Sequence, residues 1–193
     1  MESALIITST EKSFASVADL LRAYSVSDFT YARSSGEGRR FLLEKEFDLV
    51  FISAPLPDES GEDLARQTAA AGVSQVILAV RSEIFESVSA VCEGDGVFTI
   101  AKPISRDILR QVVSLARAMR SRILKVQVEN DSLKQRIEDI RTIDRAKNIL
   151  ISSARMSEHE AHRYIEKKAM DTRTSKRAVS ERIIDDYENG PED

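Results

Sequence analysis

The sequence predicts an α/β domain built on a five-stranded parallel sheet, followed by a long coiled-coil helix and a small three-helix module. Three observations predict it. Short β-rich apolar runs alternate with segments of helical period through the first half of the chain. After Ile104 there is no Gly or Pro until Gly190. Within that stretch apolar residues recur at alternating intervals of four and three.

The strands are read at residues 4–8, 29–32, 49–53, 76–80 and 97–101, each followed by a helical segment. Strands interleaved with helices imply a parallel sheet covered on both faces, which explains why "LVFI" and "VILAV" are continuously apolar: such strands have no solvent face. In these sheets the functional crevice lies at the carboxyl ends of the strands. The stretch "FDLVFISAPLPDESG" ends one of them, at Ser53.

In the long helical stretch, Met119, Ile123, Val126, Asn130, Leu133, Ile137 and Ile140 form a heptad seam. With Ile123 at an a position, Val126, Leu133 and Ile140 fall at d. Asn130 falls at a, where a buried amide pairs with its twin and favours a parallel two-stranded register. Glu129 and Lys134 suit an interchain ion pair, which Arg136 and Arg141 oppose. A parallel homodimer is therefore expected. The alternative is that the stripe packs on the chain's own terminal helices.

Beyond it, "MSEHEAHRYIEKKAM" opens with Ser157 and Glu160 spaced as a capping box, and "TSKRAVSERIIDDY" opens with Thr174 or Ser175 as helix cap. Ala178, Ile183 and Ile184 supply part of a buried face. Tyr164 is read as core or boundary, although it could stack on a base.

Charge divides the chain. Residues 1–116 hold 11 Lys/Arg against 17 Asp/Glu, whereas residues 141–182 hold 11 against 6, and the residues from Asp185 on are acidic again. The basic block points to an anionic partner, with a solvated helical face as the plain alternative. At 193 residues, 42% hydrophobic, the chain can bury one proper core and a second, smaller one. The single cysteine, Cys92, excludes an internal disulfide and is read as a small buried apolar residue. No charged leader and no apolar run of about eighteen residues is seen, so a cytoplasmic protein without membrane contact is expected. His159 and His162, three apart with no third ligand nearby, make no zinc site; no metal or cofactor is expected.

Over roughly residues 1–120 the chain resembles the receiver domain of two-component response regulators. Pro57 four positions after Ser53, Gly61 eight after it, and Lys102-Pro103 following the last strand fall where that family has its loop Pro, its Gly and its Lys-Pro. The resemblance implies the flavodoxin-like fold. Receivers that take up phosphate need a carboxylate nucleophile and further carboxylates to hold Mg²⁺. Here the acceptor position is Ser53, the acidic pair after the first strand is Thr8-Ser9, and Ala79 stands for the switch hydroxyl after the fourth strand. Of the usual set only Lys102 remains, and it reads as a salt-bridging surface lysine. A serine hydroxyl without a base is a poor nucleophile, so a pseudo-receiver that is not phosphorylated is expected, serving packing, dimer contacts or a regulatory protein partner.

Over about residues 130–187 a second resemblance is to the ANTAR domain. It rests on Ile143-Asp144-Arg145-Ala146-Lys147 with Ile149-Leu150, Met156-Ser157-Glu158, Ala161, Ala169-Met170, and Val179 with Ile183-Ile184. Asn148, Ile151, Lys176 and Ser180 depart from the family's usual residues. The resemblance implies binding to stem-loops of nascent messenger RNA and antitermination. Arg141, Arg145, Lys147, Arg173, Lys176 and Arg177 are the candidate contacts, although each alone reads equally as a solvated charge. The expected layout is a pseudo-receiver at 1–118, a coiled-coil linker at 119–140, an ANTAR-type RNA-binding module at 141–187 and an acidic tail at 188–193. The expected function is that of a non-enzymatic antitermination regulator. A DNA-binding response regulator and a non-catalytic interaction scaffold are the alternatives; the missing tight turn between short helices argues against the first.

Overall fold

A computed structural model describes residues 2–24, 26–72 and 74–190. The order is β1 (Ser3–Ile7), α1 (Glu11–Arg22), β2 (Asp28–Ala32), α2 (Ser35–Glu44), β3 (Leu49–Ser53), α3 (Glu62–Ala70), β4 (Gln75–Arg81), α4 (Phe85–Cys92), β5 (Phe98–Lys102), α5 (Arg106–Ala154), α6 (Glu158–Thr172) and α7 (Lys176–Asn189). The chain divides into two compact units, Met1–Ile123 and Leu124–Asp193, and α5 supplies residues to both.

In the first unit the five strands are all parallel, in the order β2-β1-β3-β4-β5. Every residue of β3 is buried, as its unbroken apolar run requires of a strand covered on both faces. Alternate side chains feed two cores. Val50 and Ile52 face Leu64 and Ala65 of α3 and Val88 and Cys92 of α4. Leu49 and Phe51 face Val17, Ala18 and Leu21 of α1 and Leu109 and Val113 of α5. Cys92 is buried, and burial pushes its thiol pKa up.

Loop chemistry fixes the helix starts. Ser34 Oγ accepts from the Glu37 amide at 3.2 Å, while Asp58 accepts from the amides of Ser35 (2.9 Å) and Gly36 (3.0 Å), so three otherwise orphaned N–H groups at the head of α2 are satisfied. Gly61 begins α3 at φ 90°, and a Cβ there would stand 3.2 Å from Ile52 Cγ2. A glycine is needed on both counts.

In the second unit, Ala146 and Leu150 of α5, Ala161, Ile165 and Ala169 of α6, and Val179 and Ile184 of α7 form the core. The helical run after Ile104 is interrupted at two short polar breaks, where Arg155 (φ 54°) and Arg173 (φ 52°) adopt the left-handed conformation. Such a residue is disfavoured by about 1–2 kcal/mol. Caps on the following helices offset it: Ser157 and Ser175 accept from the amides of Glu160 and Ala178.

Residues 121–138 of α5 are exposed throughout. The seam is bare within the chain: Val126 is 62% exposed, Leu133 and Ile137 51% each, and Ile140 59%. Packing of this stripe on the chain's own terminal helices is therefore not what the structure has. Of the expected acidic tail, residues 191–193 lie outside the described residues.

Candidate functional site

At the carboxyl end of the sheet, Ser53 closes β3 and Lys102 closes β5. Thr8 follows β1, almost fully buried, with its amide donating to the Ala32 carbonyl at 3.0 Å; Ser9 beside it is exposed. Ala79 does not stand after the fourth strand. β4 continues to Arg81, which leaves Ala79 inside it, fully buried and opposite Ser53 in the ladder. The first hydroxyl beyond that strand belongs to Ser82 and donates to the Lys102 carbonyl at 2.5 Å.

Lys102 also differs from expectation. It is no salt-bridging surface lysine: its ammonium is partly buried and donates to the neutral carbonyl of Ala54 at 2.5 Å. Burial, with Arg81 adding like-charge repulsion, lowers its pKa. Lys12, Ser13 and Ser16 of α1 join Ser53 and Lys102 around a cavity of about 370 Å³, and no acidic residue lines it. The Mg²⁺ that a receiver site uses asks for carboxylates. Neutral hydroxyls beside two ammonium groups do not fit it.

In the second unit, the residues behind the ANTAR resemblance are mainly core. Ile143, Ala146, Ile149, Leu150, Met156, Ala161, Ala169, Val179, Ile183 and Ile184 all belong to the hydrophobic cluster, whereas Met170 is exposed. Of the departures, Ser180 is fully buried and satisfies its hydroxyl on the Lys176 carbonyl at 2.8 Å. Tyr164 is 40% exposed, at the boundary of the helix bundle.

Five of the six candidate cations are held by carboxylates. Arg141 pairs with Glu138 at 2.8 Å, Arg145 with Glu188, and Lys176 with Glu166. Arg177 pairs with Asp139 at 2.8 Å and Glu181 at 2.7 Å. Lys147 is only 16% exposed and sits 2.8 Å from Asp144 and 3.4 Å from Glu158, which hold its ammonium pKa above the ordinary value, Asp144 first. Arg173, the left-handed cap of α6, makes no ion pair among the described residues. Sequence reasoning passed over Arg163 and Lys167. They lie one turn apart on α6, exposed and likewise without an ion pair among the described residues, away from the buried Ala161, Ile165 and Ala169. The four-residue spacing opposite that apolar row was the signal for them. His162 lies 3.2 Å from Glu166, and His159 is exposed.

The second unit carries a family likeness: residues 131–184 match the ANTAR domain family model. Among characterised proteins, the chain is similar to the transcriptional regulatory protein PdtaR of Mycobacterium tuberculosis, strains H37Rv and CDC 1551, at 24% identity over 170 residues, covering 86% of this chain and 83% of that protein. The first unit is similar in fold to a response regulator receiver domain protein from Clostridium thermocellum (TM-score 0.56, 20% identity, 63% of this chain and 98% of that one). It is also similar to the signal receiver domain of an HD domain-containing protein from Pseudomonas fluorescens Pf-5 (TM-score 0.55, 19% identity, 62% and 97%). Among the described residues no helix is long and apolar enough to cross a membrane.

Proposed function

We propose that this protein is a response regulator, a cytoplasmic transcription antitermination factor that binds stem-loops of nascent messenger RNA as a parallel homodimer, and that aspartyl phosphorylation does not switch its receiver. The observation that carries the reading is the ANTAR match at residues 131–184, which coincides with the basic part of an otherwise acidic chain. Arg and Lys neutralise phosphates and release counterions, while RNA sequence is read mainly in unpaired loops. The bare stripe of α5 supports the dimer, because a row of half-exposed Val, Leu and Ile side chains is stable in water only when a second surface covers it. Two modules on one dimer match two stem-loops, and linkage raises the effective concentration for the second contact. The carboxylate-free site around Ser53 supports the receiver reading.

The proposed division is a pseudo-receiver at 1–118, a dimerising linker at 119–140 and an RNA-binding module at 141–187. Arg173 is the first candidate contact, followed by Arg141, Arg145, Lys147, Lys176 and Arg177.

A gel shift with a two-stem-loop RNA against duplex DNA of equal charge, at two salt concentrations, tests the function. RNA is expected to bind tighter at both, with affinity falling steeply with salt; equal binding to the duplex overturns it. Incubation with acetyl phosphate and Mg²⁺ tests the receiver, and a phosphoryl group found on the protein refutes that part alone.

A further inference from the structure

The polar side chains around the Ser53 cavity are hydroxyls and ammonium groups, all able to serve a negative ligand, and among the described residues no carboxylate lines it to hold a metal cation. Lys102 is anchored by one hydrogen bond to a neutral carbonyl and has no carboxylate partner among the described residues. A half-buried ammonium in that state is short of countercharge. Ser53 is 9% exposed and lines the cavity, and its hydroxyl has no hydrogen-bond partner among the described residues. Lys12 brings a second ammonium from α1, and Val17 and Ile104 form an apolar wall. A further cavity of about 500 Å³ shares Ser16, Leu20 and Ile104 with the first and continues to Asp19, Tyr24 and Arg106, so there is room beyond the two lysines for an organic body.

We propose that this cavity binds a phosphate-type oxyanion, free or as the head of a phosphomonoester, reversibly and without a metal. The ammonium groups of Lys12 and Lys102 meet its charge, and the Ser53 hydroxyl donates to one of its oxygens. Neutral hydroxyls stand where the receiver family places carboxylates, so the charge of the lysines around the cavity is left for an anion to meet. The proposal rests on the reading that Ser53 is not phosphorylated.

Calorimetric titration of the full chain in EDTA, at constant ionic strength in chloride, tests it with inorganic phosphate and phenyl phosphate as probes. Saturable binding at one site per chain is expected. Phenyl phosphate binding the more tightly identifies a phosphomonoester as the ligand, and inorganic phosphate binding equally or more tightly identifies the free ion. Lys102→Met is expected to weaken both by at least about tenfold, as loss of a charge-assisted hydrogen bond does. Ser53→Asp, which supplies Lys102 with an internal partner, is expected to abolish binding. Absence of saturable heat in a folded chain, or heat that survives both Lys102→Met and Ser53→Asp, overturns the proposal. A phosphoryl group attached covalently after acetyl phosphate treatment overturns the pseudo-receiver reading instead, and intact mass distinguishes the two failures.

Discussion

Arg177, in the first turn of α7, donates to Asp139 of α5 at 2.8 Å. The same guanidinium holds Glu181 at 2.7 Å, and both carboxylates keep its pKa above the ordinary value, Glu181 first. A cation that ties two helices together is not free to bind phosphate without releasing them.

Arg173 and Arg177 should therefore behave differently. Arg173→Ala is expected to lower RNA affinity, reduce the slope of log affinity against log salt by about 1, and leave the melting temperature unchanged. Arg177→Ala is expected to lower the melting temperature slightly, since the pair it breaks is exposed, and to change the salt slope less. Gel shifts across salt, paired with thermal unfolding of both variants, check this; equal salt slopes for the two variants contradict it.

The seam makes a second prediction. Leu133→Asp places a charge at a d position, and sedimentation should then find a monomer at micromolar concentration where the parent is a dimer. Its affinity for a two-stem-loop RNA should drop by about 10²-fold or more as linkage is lost, while affinity for a single stem-loop is kept. Asn130→Leu should strengthen the dimer and loosen its register, since the buried amide gives pairing specificity at a cost in stability. A monomeric parent removes the seam from the account.

The fold was legible because each strand carries its own local signal. "LVFI" is apolar throughout, and β3 is buried throughout. Pro57, Gly61 and Lys102-Pro103 mark loops whose geometry admits few other residues, as the left-handed φ of Gly61 illustrates. The site was less legible. Nothing local in the sequence says that Lys102 meets the Ala54 carbonyl, because that contact joins two strand ends 48 positions apart. For the same reason Arg145 with Glu188 and Lys176 with Glu166 were invisible: a charge pattern along the chain shows the cations but not which carboxylates from other helices will quench them. Arg163 and Lys167 were within reach, through their spacing opposite an apolar row.

Acid should weaken the head of α2. The Ser35 hydroxyl, then the Ser35 and Gly36 amides, hold the Asp58 carboxyl well below the usual carboxylate range. A carboxylate whose folded pKa is depressed contributes stability that is complete above its unfolded pKa of about 3.9 and is lost as pH falls through the folded value. The group is exposed, so solvent screening limits its contribution to about 1 kcal/mol or less. Asp58→Asn should therefore cost up to about that much at pH 7 and show a shallower loss of stability below pH 4 than the parent. Urea unfolding at pH 3, 4, 5 and 7 measures both, and parallel pH profiles for the two proteins would exclude this role.

The start of α6 should set the order of the second unit. Ser157 Oγ accepts from the Glu160 amide at 3.3 Å, and Glu160 Oε2 accepts from the Ser157 amide at 2.8 Å, so two N–H groups are satisfied reciprocally just after the left-handed Arg155. Ala161, one residue further on, is fully buried in the helical core. Ser157→Ala leaves the first turn of α6 with an unmet donor and is expected to cost about 1 kcal/mol, with the loss confined to the second unit. Hydrogen exchange should quicken at residues 158–161 before it changes in β3 or β4, because fraying begins at the uncapped end. If exchange in this turn is unchanged, the cap does not hold α6 in place.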